Sequence, residues 1–309
     1  MREYDSERAG RGRRRRYNND DFEYLKNLPR PEAEPDDDAD ERPEVGDRWS
    51  TWDMSAAGER GPEPYPDWLV TELAAVDTEL GVVKTGKEAD VFLVSRGVPG
   101  TDRECLLAAK RYRSAEHRMF HRDAGYLEGR RVRETRVNRA TAKRTAFGRE
   151  AIAGQWASAE FVALCRLWEA GHQLGMAPVV PYPVQVLGTE LLLQFIGDAG
   201  TRQAAPRLAQ LRPEPEQLDD LWRQCVAAME LLARLGLAHG DLSAFNLLVH
   251  NGRLLLIDLP QVVDVVANPR GPEYLARDVR NVAAWFGARG LPGVDEQALT
   301  AELLGEAGM

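Results

Sequence analysis

Hydrophobic and polar residues alternate over several stretches of the chain with the period of β-strands. Residues 81–95 predict a strand, a turn around Gly86 and a second strand. Residues 105–112 predict a third strand, and residues 178–186 and 190–196 predict a strand pair that ends abruptly at a glycine. These segments indicate a sheet assembled from paired strands.

Apolar residues recur at spacings of three and four in other segments, which predicts amphipathic helices. These segments are 67–76, 152–168, 218–235 and 272–286. On the second helix, Glu160 lies one turn after Trp156, on the apolar side. Because a buried carboxylate is costly without a cationic partner, an inward Glu160 predicts an ion pair, for which Lys110 is the candidate.

A hairpin is predicted between the last two helices. Two apolar runs, 247–249 and 254–257, are joined by an Asn-Gly pair at 251–252, which favours a tight turn between strands. Pairing these strands brings Asp258, at the end of the second, beside Asn246, at the start of the first. The hairpin therefore gathers polar side chains from both of its strands.

The chemistry of these side chains suits phosphoryl transfer. A carboxylate and an amide oxygen, here from Asp258 and Asn246, are ligands that Mg²⁺ accepts while it shares phosphate oxygens with a substrate. Asp241 precedes the hairpin by a few residues and is available to accept a proton from an attacking hydroxyl. Asp278, on the final helix, is expected to cap or brace this loop.

Two lysines are candidates for binding phosphate. The turn at Gly86 lets backbone amides approach a phosphate, and Lys87 adds a positive charge there. An ordinary hairpin explains that turn equally well. Lys110 ends the third strand, the position at which kinase-like folds hold the lysine that binds the α and β phosphates.

Composition and charge limit the classes of protein. The net charge of −9 argues against general nucleic-acid binding, and 43% hydrophobic residues allow a sizeable core. The three cysteines lie far apart, which favours a reducing compartment over a disulfide framework or zinc site. No secretory signal is visible, and no apolar run approaches the ~18–20 residues that cross a bilayer. We therefore expect a soluble, cytoplasmic protein that contacts no membrane.

Two segments are strongly charged. Residues 1–62 are expected to be a disordered tail, with a basic cluster at 11–16 and an acidic run at 32–44 whose charges partly neutralise each other. Residues 111–149 hold eleven Arg and one Lys against four acidic residues. That segment is either a solvated insertion or a patch for RNA phosphates or an acidic substrate.

Taken together, these motifs resemble the RIO family of atypical Ser/Thr protein kinases, in the right order over roughly residues 67–290. The motifs are TGKEADV at 85–91, AK at 109–110, the 156–160 turn, FIG at 195–197, HGDLSAFN at 239–246, IDLPQ at 257–261 and YLARDVRNV at 274–282. The basic segment 111–149 sits where the family has a flexible loop with autophosphorylation sites.

The resemblance implies an α+β, bilobal protein-kinase-like fold. Its small β-sheet N-terminal lobe, with an αC-type helix, would cover residues 63–196 and include the basic loop at 111–149. A reduced helical C-terminal lobe would cover 197–290. Residues 1–62 and 291–309 would be tails.

The resemblance also assigns roles to residues. Asp241 would be the catalytic base, and Lys110 paired with Glu160 would orient the phosphates. Asn246 and Asp258 would hold Mg²⁺, or Mn²⁺ in its place, and in this family the metal-binding aspartate is also thought to accept phosphate in an ATPase-like cycle. The residues implied to contact ATP are Gly86, Lys87, Val91, Lys110, Gln194, Ile196, Asn246 and Asp258, with backbone groups at 194 and 196 for the adenine.

Some motifs depart from those of ordinary protein kinases. Asp-Leu-Pro replaces Asp-Phe-Gly, no Ala-Pro-Glu follows, and Gly240 stands where an arginine would read a phosphorylated activation loop. A substrate peptide bound in a groove is therefore doubtful. Within the family, Ala244 replaces a commonly acidic residue.

The function expected from these features is that of an ATP- and Mg²⁺-dependent Ser/Thr protein kinase with autophosphorylation, ATPase activity or both, and a link to ribosome maturation. Its expected partners are ATP, the chain itself as substrate, and a ribosomal particle or RNA bound by the basic loop. One alternative is a small-molecule phosphotransferase of the aminoglycoside or choline type. Another is a non-catalytic, ATP-gated module that binds ribosomal RNA.

Overall fold

The computed structural model describes residues 43–113 and 146–309, and the fold is given for these. An antiparallel sheet, in the order β1-β2-β3-β4-β6-β5, forms the first part. Its strands are β1 (Arg48–Trp49), β2 (Val76–Thr85), β3 (Ala89–Gly97), β4 (Glu104–Tyr112), β5 (Pro183–Leu187) and β6 (Glu190–Gln194). Helix α1 (Ala146–Gln173) packs against this sheet through buried residues that include Phe161 and Leu164.

The second part of the chain is mainly helical. Its helices are α2 (Pro215–Arg234), α3 (Gly271–Gly287) and α4 (Glu296–Glu306). Short strand pairs connect them: β7 (Gly197–Asp198) with β8 (Gln203–Ala204), β9 (Leu237–Ala238) with β12 (Val263–Asp264), and β10 (Leu247–His250) with β11 (Arg253–Leu256). A small sheet region followed by a reduced helical region confirms the expected α+β class. None of the described helices is long and apolar enough to span a membrane.

The predicted hairpin is confirmed in register and turn. Leu247 pairs with Leu256, and the Ile257 N–H donates to the Asn246 carbonyl at 3.0 Å, which extends the pairing by one step. Asn251 and Gly252 have φ angles of 49° and 73°. Positive φ at both central positions is the backbone of the tight turn that Asn-Gly favours.

The helix expected at 67–76 does not form. The segment runs through turns, with the Leu69 N–H bonded to the Pro66 carbonyl at 2.9 Å, before β2 begins at Val76. Leu69 and Val70 are buried against the sheet beside Trp52. The helical spacing of the apolar residues was misleading because these side chains fill the face of the sheet from an irregular backbone.

The expected disordered tail is corrected for residues 43–62. Trp52 is only 3% exposed, and β1 adds an edge strand to β2. Arg96, which is fully buried, donates to Asp77 at 2.7 Å and to Gln185 at 3.0 Å. Gln185 in turn donates to the Thr51 hydroxyl at 2.7 Å, so this buried network ties the segment to the sheet.

The remaining expectations concern the rest of the N-terminal tail, the basic loop and the C-terminal tail. The rest of the tail, residues 1–42, and most of the basic loop, residues 114–145, lie outside the described residues. The C-terminal tail expected at 291–309 instead contains α4, whose Leu299 and Leu303 are buried in the main core. Asp295 caps this helix by accepting from the Gln297 N–H at 3.0 Å.

Candidate active site

A buried lysine joins the sheet to the helical part of the site. Lys110, on β4, lies 2.8 Å from the Glu160 carboxylate of α1 and 2.5 Å from Asp258, just after β11. The Lys110 side chain is 8% exposed and that of Glu160 is 1% exposed. Burial lowers the pKa of Lys110, but the charges of Glu160 and Asp258 outweigh this and raise it overall. The lysine therefore remains protonated.

Glu160 has a full set of hydrogen-bond donors. Besides Lys110, the Leu259 N–H donates to its Oε1 at 3.0 Å, and the Tyr112 hydroxyl donates to its Oε2. Burial and the neighbouring Glu160 charge hold the pKa of Tyr112 well above its ordinary value, so the phenol stays a donor. Three donors offset the cost of burying one carboxylate, and the inward orientation expected for Glu160 is observed.

Asp258 is held in an uncommon backbone conformation. Its φ is 64°, in the left-handed region that non-glycine residues rarely adopt. Burial alone would raise the pKa of its carboxyl group. The charge and hydrogen bond of Lys110 outweigh this, with smaller contributions from Lys84 and Arg207, and lower the pKa to about 2. Asp258 is therefore ionised at neutral pH and suited to a cation.

The loop before β10 orients Asp241 and Asn246. The Asn246 side-chain amide nitrogen donates to the Asp241 backbone carbonyl at 2.8 Å, which leaves the amide oxygen as a potential metal ligand. The buried His239 ring lies 3.0 Å from the Ile257 carbonyl through Nε2, one residue before Asp258. The Asp241 side chain is exposed and accessible to a substrate. The structure thus brings Asp241, Asn246 and Asp258 to one edge of the hairpin.

Helix α3 braces this loop from behind. Asp278, which is 2% exposed, accepts from the Gly240 N–H at 2.8 Å and from the Leu242 N–H at 2.9 Å. Asn281 donates to the Leu242 carbonyl at 3.0 Å, and Arg277 donates to the Gly240 carbonyl. A bracing role was expected for Asp278. Arg277 and Asn281 were not predicted from the sequence, although Asn281 lies three residues after Asp278 and therefore on the same side of the helix.

Gly240 explains why the motif reads His-Gly-Asp. Its φ is 85°, and a Cβ at this position would lie 2.2 Å from the Gln261 carbonyl oxygen. That distance is far inside van der Waals contact with a backbone atom, so a side chain cannot be accommodated without moving the loop. The absence of an arginine at this position therefore has a steric cause in the fold.

Replacement of Asp278 by alanine should destabilise the protein and misplace Asp241. The free energy of unfolding should fall by roughly 2–4 kcal/mol, since each buried donor left without a partner costs about 1–3 kcal/mol. Denaturant unfolding measures this loss. The matched control is Glu273→Ala on the same helix, where the side chain is 69% exposed and unfolding should change little. Equal stability of Asp278→Ala and the parent chain would show that the brace is unimportant.

The candidate nucleotide-binding residues of the sheet lie in the turn at Gly86 and on the paired strands β3 and β4. The Gly86 N–H bonds to the Ala89 carbonyl at 3.0 Å, and a Cβ on Gly86 would lie 2.7 Å from that oxygen. Lys87 is exposed on this turn. Val91 pairs directly with Lys110 across β3 and β4, so both side chains lie on the same face of the sheet.

The two residues expected to contact adenine lie where β6 leaves the sheet. The Gln194 N–H donates to the Tyr182 carbonyl at 2.9 Å, and the Ile196 carbonyl accepts from the Ala205 N–H at 2.9 Å. The Gln194 N–H and the Ile196 carbonyl, two of the backbone groups expected to face adenine, therefore already bond within the protein.

Three known proteins that this chain resembles belong to one family. Residues 101–299 match the family described as the RIO domain. The chain is 34% identical over 216 residues to the RIO-type serine/threonine-protein kinase Rio1 of Haloferax volcanii. It is 32% identical over 213 residues to the serine/threonine-protein kinase RIO1 of Caenorhabditis elegans, and 29% identical over 220 residues to RIO3 of Mus musculus.

The matches cover much of this chain but less of the relatives. They span 70%, 69% and 68% of this chain, respectively. They span 65% of the archaeal protein, 38% of the nematode protein and 39% of the mouse protein. This chain thus corresponds to less than two thirds of each relative.

Proposed function

The chain belongs to the RIO kinase family, and on that premise we propose that it is an ATP- and Mg²⁺-dependent Ser/Thr protein kinase that phosphorylates itself, hydrolyses ATP or does both. The observation that carries the proposal is the position of Lys110 between Glu160 and Asp258. This arrangement stands beside a loop that presents Asp241 and Asn246. Together these residues supply the groups that phosphoryl transfer requires.

The donor set fits a hard divalent cation. Asn246 and Asp258 offer one amide oxygen and one carboxylate that stays ionised far below neutral pH. Among residues 43–113 and 146–309, no group of three or more His, Cys, Asp or Glu side chains gathers around a metal position. A metal held by so few protein ligands would complete its shell with phosphate oxygens and water, as Mg²⁺ does and Mn²⁺ can.

Each residue then has a chemical task. Lys110, held by Glu160, binds oxygens of the α and β phosphates and fixes the position of the nucleotide. Asp241 accepts the proton of the attacking hydroxyl as the bond to phosphorus forms. When bound, Mg²⁺ neutralises charge that develops on the β and γ phosphates. Gly86 and Lys87 cover the triphosphate from the sheet side, and Val91 lies above the nucleotide.

The proposed substrates are proteins, the chain itself among them. Family membership favours protein substrates over amino sugars or choline. The kinases of those small molecules also use His-Gly-Asp-x-x-x-x-Asn, but the Thr-Gly-Lys-Glu-Ala turn at 85–89 and the Asp-Leu-Pro-Gln at 258–261 fit the RIO family better. Gly240 stands where ordinary protein kinases carry the arginine that reads a phosphorylated activation loop, so a folded partner or a loop of this chain fits better than a peptide in a groove. The arginine-rich segment at 111–149 supports contact with RNA phosphates on a ribosomal particle, which links the activity to ribosome maturation.

A labelling experiment tests this proposal. Pure protein is incubated with Mg²⁺ and γ-labelled ATP, and labelled residues are mapped by mass spectrometry while released phosphate is counted. We expect label on the chain itself, released phosphate, or both, and neither signal after chelation of the metal. A panel of amino sugars and choline runs in parallel. Rapid transfer to a small alcohol, with no label on protein and no free phosphate, would contradict the proposal.

A further inference from the structure

Lys84 stands on the same face of the sheet as Lys110. Lys84 on β2 pairs with Val91 on β3, which pairs in turn with Lys110 on β4. Directly opposed residues on antiparallel strands project to the same side of the sheet. The three side chains therefore form a row across the strands, and the last of them, Lys110, reaches Asp258.

Arg207 approaches the same place from the helical part of the chain. Its backbone forms an isolated bridge with Leu248 on β10, two residues beyond Asn246. The preceding Pro206 carbonyl accepts from the Val249 N–H at 3.0 Å. Arg207 is thus attached to the hairpin that carries the candidate metal ligands, and its side chain is half-buried.

The two cations share one acidic neighbour. The charges of Lys84 and Arg207 both act to lower the pKa of Asp258. They also oppose each other, because burial first and then the Arg207 charge lower the pKa of Lys84. Within the part of the chain that the structure describes, neither side chain forms an ion pair within 4.0 Å. Asp258 also bonds to Lys110, whose single charge is shared with Glu160.

Two cationic side chains that form no ion pair of their own among the described residues, beside the proposed nucleotide site, indicate a site for an anion. Two like charges near one carboxylate repel each other, and a phosphate between them would remove that repulsion. Lys110 and Glu160 account for the α and β phosphates in the proposed function. The third phosphate of ATP would bring the additional negative charge to the region around Asp258.

We propose that Lys84 and Arg207 bind the terminal phosphoryl group of ATP, one from the sheet and one from the loop before α2, and that they enable the site to distinguish ATP from ADP. This inference rests on the proposed function and adds two binding residues to it. The Arg207 guanidinium can make paired hydrogen bonds to phosphate oxygens, whereas Lys84 acts as a compact charge. Because the two residues come from different parts of the fold, the terminal phosphate would hold those parts together.

Binding measurements on the full chain test the proposal without requiring catalysis. The affinities of a non-hydrolysable ATP analogue and of ADP are measured by calorimetry in the presence of Mg²⁺, for Lys84→Ala and for Arg207→Ala. We expect each variant to bind the ATP analogue on the order of tenfold more weakly, since a hydrogen bond to a charged group contributes at least that much. Affinity for ADP should change by no more than about twofold.

Matched variants separate a specific contact from a general change in charge. Lys84→Arg keeps the charge and should retain most of the affinity for the ATP analogue. Arg212→Ala removes an exposed arginine from the same loop as Arg207 and should leave both affinities unchanged. Thermal unfolding without nucleotide should show no lower midpoint for any variant, because neither Lys84 nor Arg207 belongs to the core.

The outcomes are distinguishable. Loss of affinity for the ATP analogue with retained ADP binding supports the assignment. Equal weakening of both nucleotides, or no change in either, overturns it while leaving the proposed kinase function intact. Failure of the unaltered chain to bind either nucleotide contradicts the proposed function itself, and this inference falls with it.

Discussion

Replacement of Asp241 by asparagine should lower the rate of phosphoryl transfer by about 10²–10⁴-fold, the usual contribution of a positioned general base. Asparagine keeps the shape of the side chain but cannot accept the proton. The loop should remain in place, because Asp278 holds the Gly240 and Leu242 N–H groups and Asn246 holds the Asp241 carbonyl. Single-turnover label transfer from ATP measures the rate, and calorimetry should show nearly unchanged nucleotide affinity.

The control for this variant is Asp219→Asn. Asp219 is exposed on α2 and interacts with Arg223 at the protein surface, so its replacement should leave the rate unchanged. A second comparison separates a kinase from an ATP-gated binding module. If the chain acts only as a module, Asp241→Asn will support function in cells as well as the original sequence does. Retained transfer in the purified variant would remove Asp241 from the proposed mechanism.

Replacement of Lys110 by methionine should abolish transfer and also destabilise the fold. The change leaves the Glu160 charge buried, with the Tyr112 hydroxyl and the Leu259 N–H as its remaining donors among the described residues. Removal of one member of a buried ion pair costs about 3–5 kcal/mol. Denaturant unfolding should therefore show a loss of that order, together with label transfer at background level.

A second substitution should restore stability without restoring activity. Glu160→Gln in the Lys110→Met background removes the unpaired charge. The amide oxygen can still accept from the Leu259 N–H, and the amide nitrogen can donate to the Tyr112 hydroxyl oxygen. We expect most of the lost unfolding free energy to return and transfer to stay at background level. The surface pair of Arg223 and Asp219 provides the control, since its disruption should cost at most about 1 kcal/mol. A double variant no more stable than Lys110→Met would contradict this account of the buried pair.

The parts of the site that could be predicted from the sequence depend on local rules. An Asn-Gly turn fixes the register of the hairpin, and the register places Asp258 beside Asn246 with no information from elsewhere in the chain. The Lys110–Glu160 pair joins residues fifty positions apart, yet a carboxylate on an apolar helix face required a cation. Each of these expectations followed from a single strong physical constraint.

The expectations that failed concern segments whose order comes from distant contacts. Residues 67–76 had helical spacing but pack as turns, because Leu69 and Val70 fill a sheet face that also receives Trp52. Residues 43–62 were classed with the charged tail by composition, which gave too little weight to one buried tryptophan. Helix α4 was missed although Asp295 provides a cap and apolar residues follow at helical spacing.

The site residues that were not predicted from the sequence are brought to the site by contacts between distant parts of the chain. Lys84 is a candidate only because strand register aligns it with Lys110, and Arg207 only because its backbone bridges to Leu248. Arg277 and Asn281 matter because α3 runs behind the loop and reaches its backbone carbonyls. Residue type and spacing in the sequence carry no information on where Lys84 and Arg207 lie.

A crystal structure with Mg²⁺ and a non-hydrolysable ATP analogue tests the central claim most directly. The account predicts a metal ion bound by the Asn246 amide oxygen and the Asp258 carboxylate at about 2.0–2.1 Å, with phosphate oxygens completing its shell. Lys110 should contact the α and β phosphates, and the Asp241 carboxylate should face the terminal phosphate from the open side. A nucleotide bound elsewhere, or a metal that neither Asn246 nor Asp258 touches, would contradict the account.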